Sequence, residues 1–258
     1  MEVFLSIDAW VALLTLTFLE IVLGIDNIIF ISIVTGKLPE EKRKKATRIG
    51  LFLAMFMRIA LLFGITLLIA MKAPFFSVDW GWFKASFTGQ AMILLLGGIF
   101  LIYKSTKEIH EKVDHKGEEE LALKPSVAKT FGNVLFQILM IDLIFSVDSI
   151  LTAVGMTNGV NGALTIMITA VVISVGVMML FAVPVGNFVN KNPSIQILGL
   201  AFLILIGFML TTESMHLSHA VLAGEEIGAV PKGYLYFAIA FSLGVEFLNM
   251  KMRKKKID

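Results

Sequence analysis

A run of apolar residues at 9–36 is long enough to cross a bilayer, yet it carries Glu20, Asp26 and Asn27 in its interior. A membrane helix must satisfy its own backbone polar groups. An ionisable side chain at its centre costs at least about 2.5–3.5 kcal/mol on insertion scales. Acids at that depth therefore mark a functional site with partners close by. The device recurs in the run at 128–156, where Asp142 stands for Glu20, Ser146 for Gly24, Asp148 for Asp26 and Ser149 for Asn27. The two acids are six residues apart in both copies.

Composition agrees with a polytopic membrane protein, since 57% of the 258 residues are hydrophobic and only 16% are charged. Counting apolar runs of about 20 residues predicts seven spans, at 9–36, 46–71, 88–110, 128–156, 163–187, 194–217 and 233–250. Cations test this count. Lysines and arginines crowd the first connection from Lys37 to Arg48, the third from Lys104 to Lys129, and the C-terminal end from Lys251 to Lys256. Seven spans put all of these on one side, with Lys191, and leave only Lys72, Lys84 and Lys232 on the other. The positive-inside rule then places the N-terminus outside and the C-terminus in the cytoplasm, with no cleavable signal peptide before the first span. Trp10, Trp80, Trp82, Tyr234 and Tyr236 are expected at the outer ends of spans, as an interfacial belt. The third connection, with Glu118 to Glu120 beside several lysines, reads as a solvated linker.

The acidic motifs lie three spans apart and so cross the membrane in opposite directions. Leu96-Gly97 in the third span is echoed by Leu198-Gly199 in the sixth. The expected fold is all-α, a single transmembrane domain built as an inverted three-plus-three repeat with a seventh helix added. Repeat one covers 9–110, a cytoplasmic loop 111–127, repeat two 128–217 and the added helix 233–250. Sites in such repeats lie near the midplane, between the two copies.

Chemistry follows from the donors. The chain has no cysteine and only four histidines, so a metal site must rest mainly on oxygen. On a continuous helix Glu20 and Asn27 are nearly eclipsed, while Asp26 points about 100° away from Asn27. Convergence of both acids would require a local break, for which Gly24 and Ser146 are the natural places. Four carboxylates gathered in low dielectric need neutralising, by protons or by a hard divalent cation such as Mn²⁺, Mg²⁺ or Ca²⁺. Arg58, about 18 Å into the second span by the helical rise, supplies a second solution and is expected to pair with Glu20 or Asp26 when no cation is bound. Glu246, near the inner end of the seventh span, can line an exit. The 14 methionines are dispersed through the apolar runs and read as packing.

At Glu20 to Asn27 and at Asp142 to Ser149 the chain resembles the TerC family of integral membrane proteins, most closely its short YgdQ-like branch without appended cytosolic domains. Phe100 to Glu111 and Pro231 to Ala238 fit the same branch. The resemblance implies a seven-span protein of the wider LysE transporter superfamily, some members of which are linked to manganese export and others to tellurite resistance. It also implies that Glu20, Asp26 and Asn27, with Asp142, Asp148 and Ser149, handle the cation; Gly24, Ser146, Arg58 and Glu246 are expected, from the residues themselves, to support them.

The expected function is a secondary transporter of the bacterial inner membrane. It would export divalent cations, Mn²⁺ first among them, through a midplane carboxylate site, with protons as a possible counter-ion and no permanently bound cofactor. The competing reading is a non-transporting scaffold of a metal or tellurite stress-response complex. An intramembrane aspartyl protease is disfavoured, because its Gly-x-Gly-Asp element is absent. There is no nucleotide-binding loop and no serine or histidine constellation, so the chain is not read as an enzyme. The basic segments suit anionic lipid headgroups rather than nucleic acid.

Overall fold

The computed structural model describes residues 6–64, 74–114, 131–157 and 159–254, without the side chains of Ile25, Asp26, Phe75, Arg253 and Lys254. Among the described residues seven helices are long and apolar enough to cross a membrane. They are α1 (Ile7–Thr35), α2 (Glu40–Phe63), α3 (Gly89–Asp114), α4 (Phe131–Met156), α5 (Ala163–Lys191), α6 (Pro193–Leu217) and α7 (Lys232–Lys254). Each corresponds to one expected span. The linker expected between the third and fourth spans falls largely outside the described residues, as does the end expected for the second.

Local chemistry sets the helix ends. Ser6 caps α1, its hydroxyl accepting from the Ala9 amide at 3.2 Å, and Asp8 adds negative charge at the positive end of the dipole. The Thr88 hydroxyl accepts from the Ala91 amide at 3.1 Å and starts α3. Between α5 and α6 the break is Asn192, forced towards extended backbone (φ −123°, ψ 94°) by the proline that follows it. Helix α2 begins at Glu40, earlier than hydropathy suggests, because its first turns are helical but charged, with Glu40 and Glu41 favouring the N-terminus.

The chain forms two compact units, and neither follows the order of the sequence. The first takes α1 and α2 from the first half and α4 and α5 from the second. Within it α2 packs on α4, while α5 packs on α1 through Gly186 against Ser32 and Gly36 against Asn190. Each half thus lends its second helix to the first helix of the other, the exchange that an intertwined repeat requires.

The second unit holds α3, α6 and α7 with a small sheet. Helices α3 and α6 approach backbone to backbone: a Cβ on Gly98 would stand 2.6 Å from the Gly207 carbonyl oxygen, and one on Gly207 would stand 2.7 Å from that of Gly98. Ser214 seals the pair, its hydroxyl donating to the Ala91 carbonyl at 2.6 Å.

A small sheet, which hydropathy does not predict, accompanies the helices of this all-α fold. It is antiparallel throughout, in the order β1 (Pro74–Asp79), β2 (Phe83–Thr88), β3 (Val221–Leu222), β4 (Glu225–Glu226). Ala85, Phe87 and Ala220 form its core, against Met92, Leu95 and Met215 from the helices. Trp80 and Trp82 belong to the turn joining β1 and β2, where Gly81 takes φ +79°, and not to the end of a span. At the same turn the Gly81 amide, donating at 3.0 Å, and then Lys84, also at 3.0 Å, hold the exposed Asp79 carboxyl below its ordinary value.

Candidate functional site

The acidic motifs meet inside the first unit. Glu20, Gly24 and Asn27 fall at i, i+4 and i+7 on α1, so they share one face, and Asp142, Ser146 and Ser149 do the same on α4. Arg58 enters from α2. All five polar side chains that join here are buried: Arg58 is 3% exposed, Asn27 4%, Glu20 and Asp142 6% each, and Ser146 not at all.

Asp142 is the hub. Its Oδ1 accepts from Arg58 Nη2 at 2.7 Å and from Asn27 Nδ2 at 3.2 Å. Its Oδ2 accepts from Arg58 Nε at 3.3 Å and from Ser146 Oγ at 3.2 Å. The other arm of the guanidinium, Nη1, donates to Glu20 Oε2. One arginine fork therefore bridges the acids of both motifs. Removing three charges from water is costly, and the fork, the carboxamide and the hydroxyl together offset that cost by filling the acceptor positions of Asp142.

The expected pairing of Arg58 with Glu20 is present, and Asp142 of the second motif is its other partner. The expected helix break is absent. α1 runs unbroken through Gly24 and α4 through Ser146, so no carbonyls are released there. Gly24 serves close approach instead: a Cβ on it would stand 2.2 Å from Met178 Sδ of α5. Without a break the six-residue spacing keeps Asp148, the second acid of its motif, on another face, as helical geometry requires. Asp148 is accordingly half-buried, about 120° round α4 from Asp142. The side chain of Asp26 lies outside the described residues. Ser149 is buried, and its hydroxyl donates to the Ser146 carbonyl of its own helix at 3.3 Å. Among the described residues no group of three or more acidic or histidine side chains is close enough to share a metal ion. Of the four expected carboxylates, the described residues bring Glu20 and Asp142 together through Arg58, while Asp148 faces away from them.

Glu246 stands elsewhere, in the second unit. It lines a groove of about 360 Å³ between α6 and α7 with Ser194, Ser242 and apolar neighbours, and its Oε1 has no hydrogen-bond partner among the described residues. Around the hub, one flank is packed solid by Ile28, Phe30, Ile31 and Val34 of α1. On the flank where α1 begins, a cavity of about 10 Å³ touches Glu20 and is walled by Leu16, Leu62, Ile150, Ala153 and Met167. That is at the lower limit for one water molecule.

Chemically, the hub offers two carboxylates, the carbonyl oxygen of Asn27 and the Ser146 hydroxyl to a hard cation, at the place now held by a guanidinium. The sequence matches the family described as integral membrane protein TerC over residues 5–257. It is 48% identical to the UPF0053 inner membrane protein YgdQ of Escherichia coli K12, over 96% of this chain and 95% of that one. It is 45% identical to a UPF0053 protein of Haemophilus influenzae, over 96% and 95% of the two chains. A longer relative, the UPF0053 inner membrane protein YoaE of E. coli K12, is 40% identical over the whole of this chain and 46% of its own length. No solved structure matches the chain significantly.

Proposed function

The chain belongs to the TerC family of integral membrane proteins, and from that premise we propose that it is a secondary transporter that exports divalent cations, Mn²⁺ first among them. The observation that carries this reading is the buried bridge from Glu20 through Arg58 to Asp142. Buried charge within the spans is expensive to keep and needs a reason.

The mechanism follows from charge. Two carboxylates and a dication sum to neutrality, whereas adding the guanidinium would leave a buried positive charge. Cargo and Arg58 therefore exclude each other. With no cargo, Arg58 compensates the acids and holds the helices of the two halves together. When a cation enters, it takes Glu20, Asp142 and the Asn27 carbonyl oxygen, and Arg58 withdraws along its flexible stem. On release to the other side the guanidinium returns, which resets the site and keeps the empty carrier from being drawn back by the cation gradient. Protons are the natural counter-ions, since the same carboxylates bind either. Asp26, Asp148 and Ser149 are proposed to take part as the cation moves along α1 and α4. Glu246 would act at an exit in the second unit. We assign the carrier to the bacterial inner membrane, which the relatives' names support, with the N-terminus outside, which the distribution of lysines and arginines supports.

The test is efflux from cells. A strain lacking its own manganese exporters, loaded with radioactive Mn²⁺, should lose it faster when it makes this protein, and should not do so with Asp142→Asn. Equal efflux with and without the protein, shown to be in the membrane, would favour a scaffold.

A further inference from the structure

Two long side chains reach the acidic motifs from second helices, and only one of them is charged. Arg58 of α2 lies against Asp142 on α4, which Ser146 of the same helix also holds by a hydrogen bond. Met178 of α5 lies against Gly24 of α1, the position that corresponds to Ser146. Met178 also stands at nearly the same offset from Arg58 as Asp142 does from Glu20. The halves thus present equivalent arms, one ending in a guanidinium and the other in a thioether.

The sulfur is the atom that occupies the slot. A Cβ on Gly24 would be 2.2 Å from Met178 Sδ and 3.1 Å from both Cγ and Cε. Gly24 is one turn from Glu20 and nearly one from Asn27 on the same helix face, so the thioether packs on the stretch of α1 that carries two polar members of the hub, and Met178 is only 3% exposed. Packing alone asks for volume, which leucine supplies at lower conformational cost, since an ordered methionine loses about 1.5–2 kcal/mol of rotamer freedom and a leucine about 0.5–1. The thioether adds what leucine lacks, a soft donor beside hard oxygens.

Resting on the transport reading above, we propose that Met178 selects the cargo, admitting d-block dications, from the hard Mn²⁺ through Fe²⁺ and Co²⁺ to the soft Cd²⁺, and rejecting Mg²⁺ and Ca²⁺. An alkaline-earth ion gains nothing from sulfur and must replace a water or carbonyl it prefers. A transition-metal ion gains a bond and tolerates the mixed shell.

The experiment uses proteoliposomes holding the wild type or Met178→Leu, with uptake of Mn²⁺ and Cd²⁺ measured against excess Mg²⁺ and Ca²⁺. The wild type should carry Mn²⁺ and Cd²⁺ with little competition. Met178→Leu, which keeps the volume, should carry Mn²⁺ at a reduced rate, lose about tenfold in preference for Cd²⁺ over Mn²⁺, the scale seen when a metal's surroundings are altered, and become sensitive to Mg²⁺. X-ray absorption of bound Cd²⁺ should show a sulfur neighbour in the wild type alone. Flux with unchanged selectivity in Met178→Leu, or no sulfur near Cd²⁺, overturns the inference and leaves transport standing. Absence of flux from both folded proteins overturns the transport reading and takes the inference with it.

Discussion

Arg58 grips Asp142 with two nitrogens, Nη2 at 2.7 Å from Oδ1 and Nε at 3.3 Å from Oδ2, across 84 residues of sequence. A fork on a carboxylate fixes orientation as well as charge, which a lysine cannot do. Arg58→Met, which keeps length and removes charge, leaves two buried acids uncompensated and should destabilise the protein by about 3–5 kcal/mol, the usual cost of stripping one partner from a buried pair. Arg58→Lys should lose less. Unfolding in detergent followed by tryptophan fluorescence reads both, and a Met variant as stable as the wild type would show that the pair is not structural.

Asn27 donates to the same oxygen of Asp142 that Arg58 does, at 3.2 Å. Asn27→Asp turns that donor into a third acid facing Asp142. The variant should unfold at a lower temperature than the wild type in chelator, and added Mn²⁺ should raise its unfolding temperature by more than it raises that of the wild type, because a ligand that binds only the folded state stabilises it. An equal rise in the two proteins would place cation binding away from Asn27.

Gly98 and Gly207 carry the contact between α3 and α6, and each faces the other's backbone, which cannot step aside. Gly98→Val should cost about 1–3 kcal/mol or more through overpacking. Gly176, also helical, has nothing within 4 Å of its absent Cβ. Gly176→Ala should be neutral or stabilise by about 0.4–1 kcal/mol through the unfolded chain. Thermal unfolding of the two variants side by side separates close approach from glycine content.

Asp79 supplies a pH dependence outside the spans. Its carboxyl is held low by the Gly81 amide and then by Lys84. A folded value below the unfolded one, about 3.9, means the contribution is complete above that value and disappears as pH falls through the lowered one. Trp80 and Trp82 flank the turn, so their emission in a Trp10→Phe background should change only below about pH 4. Asp79→Asn should abolish that dependence. An emission change at neutral pH would contradict it.

Much of this was legible in the residues, and the parts that were not share a cause. Glu20 and Asn27 are seven apart, so a helix had to align them, and a lone Arg58 deep in an apolar run had to find an acid. Which acid depended on the packing of α2 against α4, which spacing within one helix cannot report. Gly24 carried an ambiguous signal, because a small residue serves a break as well as a close approach, and only Met178 across the interface tells them apart. The hairpin was missed because span counting averages over about 20 residues, whereas the alternation of Phe83, Ala85 and Phe87 has a period of two and flanks a Trp-Gly-Trp turn. The early start of α2 was hidden for the opposite reason, since its first turns are helical without being apolar.

The central claim is that cargo takes the carboxylates that Arg58 now holds. The most direct measurement is Mn²⁺ flux into proteoliposomes for the wild type beside Glu20→Gln and Asp142→Asn, each shown to be folded. Saturable flux in the wild type, lost in both variants, is the predicted result. Undiminished flux in either variant would contradict the claim that these two acids carry the cation.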